Sequence, residues 1–252
     1  VPPPAYGGTE AVVDALARGL DAAGHDVLLI GHPDSTCPVA RASVVPADEA
    51  VPMGRAAAEL EHAIGAYALA RDFDVVSDHT IGGPVHGAAY PDLPVVATNH
   101  NTFSRTRNAI YSTLVGRGSI VSISVAPAPS KTLPIAAVIH HGIDVDTFPL
   151  GAGEGGYLAM LTRMTPDKGI ERAMRLAHAA GVPLKIAAKI REQREHDYFE
   201  SVIAPLLGST VEFLGEVDAA GKRELLAGAA GLLNPIEWDE PFGMAMSESL
   251  AC

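Results

Sequence analysis

Only two cysteines occur in the 252 residues, Cys37 and Cys252, far apart and in no metal or redox spacing. That excludes thiol-based metal or redox chemistry, and both read as small apolar residues in a reducing compartment. Basic side chains are also scarce. Eighteen Lys and Arg face thirty Asp and Glu, a formal charge of −12, which excludes a general binder of nucleic acid or anionic membrane. Any anionic ligand must then be held by a few local cations or by backbone N–H groups. No apolar run approaches the length of a membrane span and no signal peptide is visible, so the chain is read as cytoplasmic. It begins at Val1 without an initiator Met, so a leader could have been lost. No histidine or aspartate constellation stands out as a metal site. No Gly-x-Gly-x-x-Gly follows a strand, which argues against a dinucleotide-dependent oxidoreductase.

Apolar residues are abundant: 48% against 19% charged, the profile of an α/β protein with a sizeable core. Short β-branched runs alternate with Ala- and Leu-rich stretches. Residues 10–23 place Val12, Val13, Leu16 and Leu20 on one helical face, and Gly24 follows as a stop. Strands are expected over 26–30, 73–77, 94–98, 119–124 and 136–139, and a helix over 56–71. The run Pro149-Leu-Gly-Ala-Gly-Glu-Gly-Gly156 has no periodicity and predicts a linker. The rhythm then restarts, with strands over 157–161, 184–188, 211–214 and 231–234. Helices are expected over 169–180, 198–207 and 219–228, and from Phe242 onward.

Two rounds of alternation predict an α/β fold of two Rossmann-like, doubly wound parallel-sheet domains, residues 1–148 and 157–252, joined by the linker 149–156. Such sheets bind ligands beyond the carboxyl ends of their strands, so the site is expected in a cleft that both domains face. Both ends read as incomplete, because the first helix has no strand before it and the last none after it.

Thr162-Arg-Met-Thr-Pro-Asp-Lys-Gly169 ends a predicted strand and leads into a helix. Arg163 offers a planar fork of donors and Lys168 a mobile point charge, a pair suited to a diphosphate near a helix N-terminus. A solvated surface turn is the plain alternative. Pro235-Ile-Glu-Trp-Asp-Glu-Pro-Phe-Gly-Met-Ala-Met-Ser-Glu248 puts Glu240 in an extended loop, because Pro241 follows it. Phe242, Gly243 and Met244 open a helix whose amides can bind an anion, and Glu248 lies farther along it. Two such carboxylates can accept bonds from ribose and hexose hydroxyls. Alternatively, Glu240 only balances the helix dipole and Glu248 is solvated.

His79 and His100 each follow a predicted strand and would face the cleft, or else serve as structural histidines. His25, His62, His178 and His196 are expected in solvent. Adjacent His140 and His141 point to opposite faces if extended and make a poor metal pair. Asn101, Thr102, Ser104, Arg105 and Arg107 read as a polar loop, or as one that meets an acceptor.

Glu240-Pro-Phe-Gly-Met with Glu248-Ser-Leu-Ala-Cys resembles the Glu-x7-Glu motif of retaining glycosyltransferases of family 4, which have the GT-B fold. Tyr6-Gly-Gly-Thr-Glu10 is similar to the family's first glycine-rich loop, Val138-Ile-His-His-Gly-Ile-Asp-Val-Asp-Thr-Phe148 to its interdomain turn, and Val211-Glu-Phe-Leu-Gly215 to its strand beside the nucleobase. Arg163 with Lys168-Gly169 matches its basic pair. The resemblance implies a nucleotide-diphosphate sugar as donor, UDP- or GDP-linked, a hydroxyl acceptor, and no cofactor or metal. It implies that Arg163 and Lys168 bind the diphosphate, Glu240 the donor sugar and Glu248 the ribose. Gly7 and Gly8 would let backbone approach donor and acceptor, the amides near Phe242, Gly243 and Met244 would contact sugar or phosphate, and His100 would lie near both substrates. The acceptor would be a saccharide, a secondary metabolite or a lipid-linked glycan, with membrane contact only in the last case. Two departures stand out: His141-Gly-Ile-Asp144 replaces the usual Asn-Gly-Ile-Asp, and Lys189 stands where a Gly often follows the strand, adding a candidate phosphate contact. A nucleotide-sugar 2-epimerase of the same fold, and an inactive sugar-nucleotide-binding module, are the alternatives.

Overall fold

The computed structural model describes residues 1–3, 7–46, 56–125 and 133–252, so Tyr6 of the first glycine loop lies outside the described residues. The chain divides into two compact units, one of residues 1–2 and 9–142, the other of 3–8 and 143–252.

The first unit runs α1 (Gly8–Ala22), β1 (Leu28–Ile30), β2 (Ala40–Ala42), α2 (Ala56–Ala70), β3 (Val76–Asp78), α3 (Gly83–Gly87), β4 (Val95–Asn99), α4 (Arg105–Ser112), β5 (Ser119–Ser122) and β6 (Ala137–Val138). Strands β3 to β6 form one parallel sheet in sequence order, and β1 pairs with β2 in a second. Val95, Ala97 and Ile120 of the sheet pack with Tyr67, Tyr111 and Leu114 from the helical side. Asp78, buried at the end of β3, accepts bonds from Tyr67 Oη (2.7 Å) and from Thr80 N and Oγ1 (both 2.8 Å). These donors satisfy a carboxylate that burial would otherwise penalise, and they fix the turn out of the sheet.

Of the residues expected in a polar loop, Asn101, Thr102, Ser104, Arg105 and Arg107, the last two lie in helix α4. Ser104 Oγ caps it by accepting from Arg107 N at 3.2 Å. Tyr111 is its buried anchor, and a single anchor leaves no apolar stripe to read from sequence. His62, expected in solvent, is half-buried on α2, and burial holds its imidazole below the ordinary pKa.

The second unit runs β7 (Leu158–Arg163), α5 (Ile170–Ala180), β8 (Leu184–Lys189), α6 (Gln193–Tyr198), β9 (Val211–Gly215), α7 (Ala219–Gly228), β10 (Gly231–Leu232) and α8 (Met244–Ala251). The helix expected over 198–207 starts earlier. After α6 the chain passes through a π-type turn at Phe199–Ile203 and a 3-10 turn at Ala204–Leu206. Pro205 has no N–H to continue an α-helix. The sheet is parallel with order β10-β7-β8-β9. Met160 of β7 packs with Ile170, Met174, Ile186 and Ile203, whereas Ala159 and Leu161 pack with Tyr157, Leu225 and Leu226. Both faces are covered, which is why β7 opens with the unbroken apolar run 158–161. The glycine-rich run 149–156 is bonded onto this unit, Gly151 N to Cys252 O (2.7 Å) and Gly155 N to Gly228 O (2.9 Å). Strand order reverses between β7 and β10, which opens a crevice at their carboxyl ends.

Candidate functional site

The two sequence motifs meet at that crevice. The β7–α5 turn, Pro166–Lys168, lies against the loop that follows β10: Glu237 N donates to Asp167 O at 2.8 Å. Gly169 sits at φ +69°, and a Cβ there would come within 2.0 Å of Pro235 O, so glycine alone permits the approach. Lys168 Nζ donates to Glu240 Oε2 at 2.5 Å and lies 4.6 Å from the centroid of the Trp238 ring. The Trp238 indole N–H is buried without a hydrogen-bond partner among the described residues, a donor available to a bound acceptor group.

Arg163, at the end of β7, donates through Nε to Glu195 and through Nη2 to Glu192. Glu195 is fully buried at the start of α6 and also accepts from Arg191 N (2.8 Å) and Glu192 N (3.0 Å). Burial alone would push its carboxyl upward, but these amides and the guanidinium outweigh it and hold the pKa below the ordinary carboxylate value. Lys189 ends β8 in register with Arg163.

Helix α8 begins one residue after Phe242-Gly243. Gly243, at φ +82°, turns the chain into it, and among the described residues no side-chain cap bonds its first amides. Helix α5 likewise has Gly169 at its start and no side-chain cap. Two uncapped helix N-termini thus accompany Arg163 and Lys168, an arrangement that attracts an anion. Of the two readings of Glu248, a hydroxyl acceptor or a solvated helix residue, the solvated one fails: it is buried on α8 and accepts from Lys222 Nζ of α7 at 2.5 Å. Gly8 counts with this unit as well, and a Cβ on it would make ordinary contact with Met244 Cγ at 3.7 Å; Gly7 precedes it.

In the first unit, His100 follows β4 and His79 follows β3. Asn99, buried beneath them, binds Asn101 through both ends of its amide (2.7 and 3.2 Å) and so shapes the turn that carries His100. His79 Nδ1 lies 2.8 Å from His100 Nε2, and His100 Nδ1 lies 3.4 Å from His141 Nε2. Burial lowers all three pKa values, to about 3 for His100 and about 4 for His141, with the neighbouring imidazoles adding to the effect on those two. Among the described residues no group of three or more His, Cys, Asp or Glu is arranged to hold a metal ion, and no helix is long and apolar enough to cross a membrane.

The structure therefore gathers Arg163, Lys168, Glu240, Phe242, Gly243, Met244 and Glu248 in the second unit and places His100 in the first. Sequence reasoning missed Glu195, Glu192 and Lys222. The first two stand at Glu192-x-x-Glu195, a helix-start spacing that could have marked them. Lys222 carries no comparable signal.

A family model described as Glycosyltransferase Family 4 matches residues 6–147. Among solved structures, AviGT4, a glycosyltransferase involved in avilamycin A biosynthesis, is 28% identical; the match covers 100% of this chain and 70% of that one, with a TM-score of 0.70. HepE from Anabaena, solved with UDP and glucose, is 19% identical over 98% of this chain and 75% of that one, TM-score 0.73. Sucrose-phosphate synthase from Thermosynechococcus elongatus is 17% identical over 98% and 74%, TM-score 0.78. The last two comparisons show a shared fold, that of GT-B enzymes. No curated protein matches the chain.

Proposed function

The chain belongs to glycosyltransferase family 4, and from that premise we propose that it transfers a sugar from a nucleoside-diphosphate sugar to a hydroxyl acceptor with retention at the anomeric carbon. The observation that carries the reading is the meeting of the Lys168 turn with the Glu240 loop at the β7–β10 crevice, through the Lys168–Glu240 pair and the Glu237–Asp167 contact, beside helix starts that carry no side-chain cap among the described residues. A diphosphate there would meet two cations and helix amides. Glu240 would accept hydroxyl bonds from the sugar and Glu248 from the ribose. No metal is needed, since these groups already supply positive charge.

In the step itself the bond between the anomeric carbon and the phosphate oxygen breaks. The acceptor oxygen bonds to the same face, and its proton passes to the departing phosphate. Charge stabilisation by Arg163, Lys168 and the amides carries the rate effect; each such donor contributes roughly 2.7–4 kcal/mol to the transition state. His100 and the first unit take the acceptor side, and the reaction runs in the cytoplasm. AviGT4's part in making avilamycin A supports an acceptor of the secondary-metabolite class.

The test is a panel of nucleoside diphosphates by thermal shift, followed by incubation of the binding nucleotide's sugars with hydroxyl acceptors, with and without EDTA. A ligand at 100 times its Kd stabilises by about 2.7 kcal/mol. A retained glycoside and free nucleoside diphosphate are expected. An epimerised donor without acceptor, or binding without turnover, overturns the transferase reading.

A further inference from the structure

Three strand ends of the first unit bring His79, His100 and His141 into one continuous row. Their ring centroids are 5.1 Å apart at both steps, tilted by 38° between His79 and His100 and stacked at 26° between His100 and His141. Ser77 Oγ lies 3.1 Å from His79 Nε2 and extends the row at that end. We propose that His141, together with His79, is a positioning residue for His100: the row fixes the ring plane and the tautomer of His100, making it a rigid neutral ring beside the substrate and not a proton carrier. The inference rests on the transferase reading for the role of His100, but not for the geometry.

A neutral imidazole has one N–H and one bare nitrogen. In a row, each ring must therefore donate in the same direction as its neighbour. With Ser77 donating to His79 Nε2, His79 donates through Nδ1 to His100 Nε2, and His100 donates through Nδ1 to His141 Nε2. Reversing every bond gives the only other consistent assignment. Either way both nitrogens of His100 are engaged, and its tautomer is set by its two neighbours. The groups acting on the row leave it uncharged. Burial opposes a proton on each ring, His79 and His141 oppose one on His100, and His140 opposes one on His141. Asp78 favours a proton on His79, but its oxygens are occupied by Tyr67 and Thr80, and the His79 pKa remains lowered. Across the row, Asn99 pins the backbone of the turn while the imidazoles pin the ring, so neither is left to rotate on substrate binding.

Imidazole nitrogen NMR of the unliganded full chain tests this. In the wild type, followed from pH 8 down to pH 3, His100 is expected to show one protonated and one bare nitrogen at every pH above 5. His141→Ala is expected to average the two signals and to raise the titration midpoint of His100 by about one pH unit or more. His141→Gln, which returns a polar partner to Nδ1, is expected to restore the split. Averaged nitrogens in the wild type, or a split and titration untouched by His141→Ala, overturn the proposal. If that variant does not fold, His79→Ala reads the same property from the Nε2 side, with the same expected and overturning results. In transfer assays His141→Ala should lower kcat roughly ten- to hundredfold with little change in donor KM, as misplacement of a substrate-facing group does. A chain that shows the split nitrogens but transfers no sugar sinks the transferase reading alone.

Discussion

At the strand ends of the first unit, three imidazoles hold one another and stay uncharged. In the second, Arg163 and Lys168 at the end of β7 and in the turn after it, and Lys222 on α7, each already grip a carboxylate. Both sets grow from the same architecture, parallel strands ending in short loops. The difference lies in what surrounds them. Arg163 and Lys168 stand beside two uncapped helix starts in the second unit, so a charged ligand finds donors as well as cations. The histidine row is half-buried and internally satisfied. Its hydrogen-bond capacity goes into shape, where that of the second unit goes into exchangeable pairing.

The largest effect expected from breaking this contrast is on Lys168→Ala. Transfer should fall by about 10²–10³ in kcat, the loss typical of one transition-state donor, while circular dichroism and melting change little. Normal turnover would show that the second unit's cations do not carry the chemistry. Next, Lys222→Met should cost about 3 kcal/mol of stability, because it leaves Glu248 buried and unpaired. Adding Glu248→Leu should recover most of that stability in urea melts but not the affinity for nucleoside diphosphate. Recovery of both would reduce the pair to scaffolding. Gly169→Ala should cost about 1–3 kcal/mol through its left-handed backbone and the clash with Pro235 O, and should weaken diphosphate binding by separating the two motifs. Unchanged binding would separate the motifs' contact from function.

The smallest effect is on acid stability, and it distinguishes the units directly. The histidine pKa values are lowered from 6.5 in the folded chain. Below pH 6.5 the unfolded chain binds protons that the folded row refuses, so the row's contribution is present above that value and fades toward pH 4. Glu195 is lowered from 4.5, so its contribution persists until the pH falls below that value. Hydrogen exchange at pH 7 and pH 5 should therefore show the first unit loosening while the second holds. The opposite order would show that the row is not neutral.

Much of the second unit could be read from sequence because its signals are local. Glu240 before a proline, Phe242-Gly243 before a helix, and Arg163 with Lys168 at a strand end each announce themselves within a few residues. The partners of these groups do not. Glu195 reaches Arg163 across 32 positions and Lys222 reaches Glu248 across 26, and no periodicity links them. Helix α4 was hidden because its polar segment is held by one cap and one buried tyrosine. The histidine row was hidden for a related reason. His79 and His100 could be placed at strand ends from sequence, but His141 lies 41 positions beyond His100, and only the order of the parallel sheet brings it to them.

The Lys168–Glu240 pair has a consequence for selectivity. An anion arriving at Lys168 meets a cation already matched, and drawing it away strands a carboxylate. A bare diphosphate can do nothing for that carboxylate. A sugar attached to the diphosphate brings hydroxyl donors to the place the lysine vacates. On the proposed reading, the resting pair therefore acts as a tenant that only the complete donor can rehouse, which biases the site against inorganic pyrophosphate and spent nucleotide.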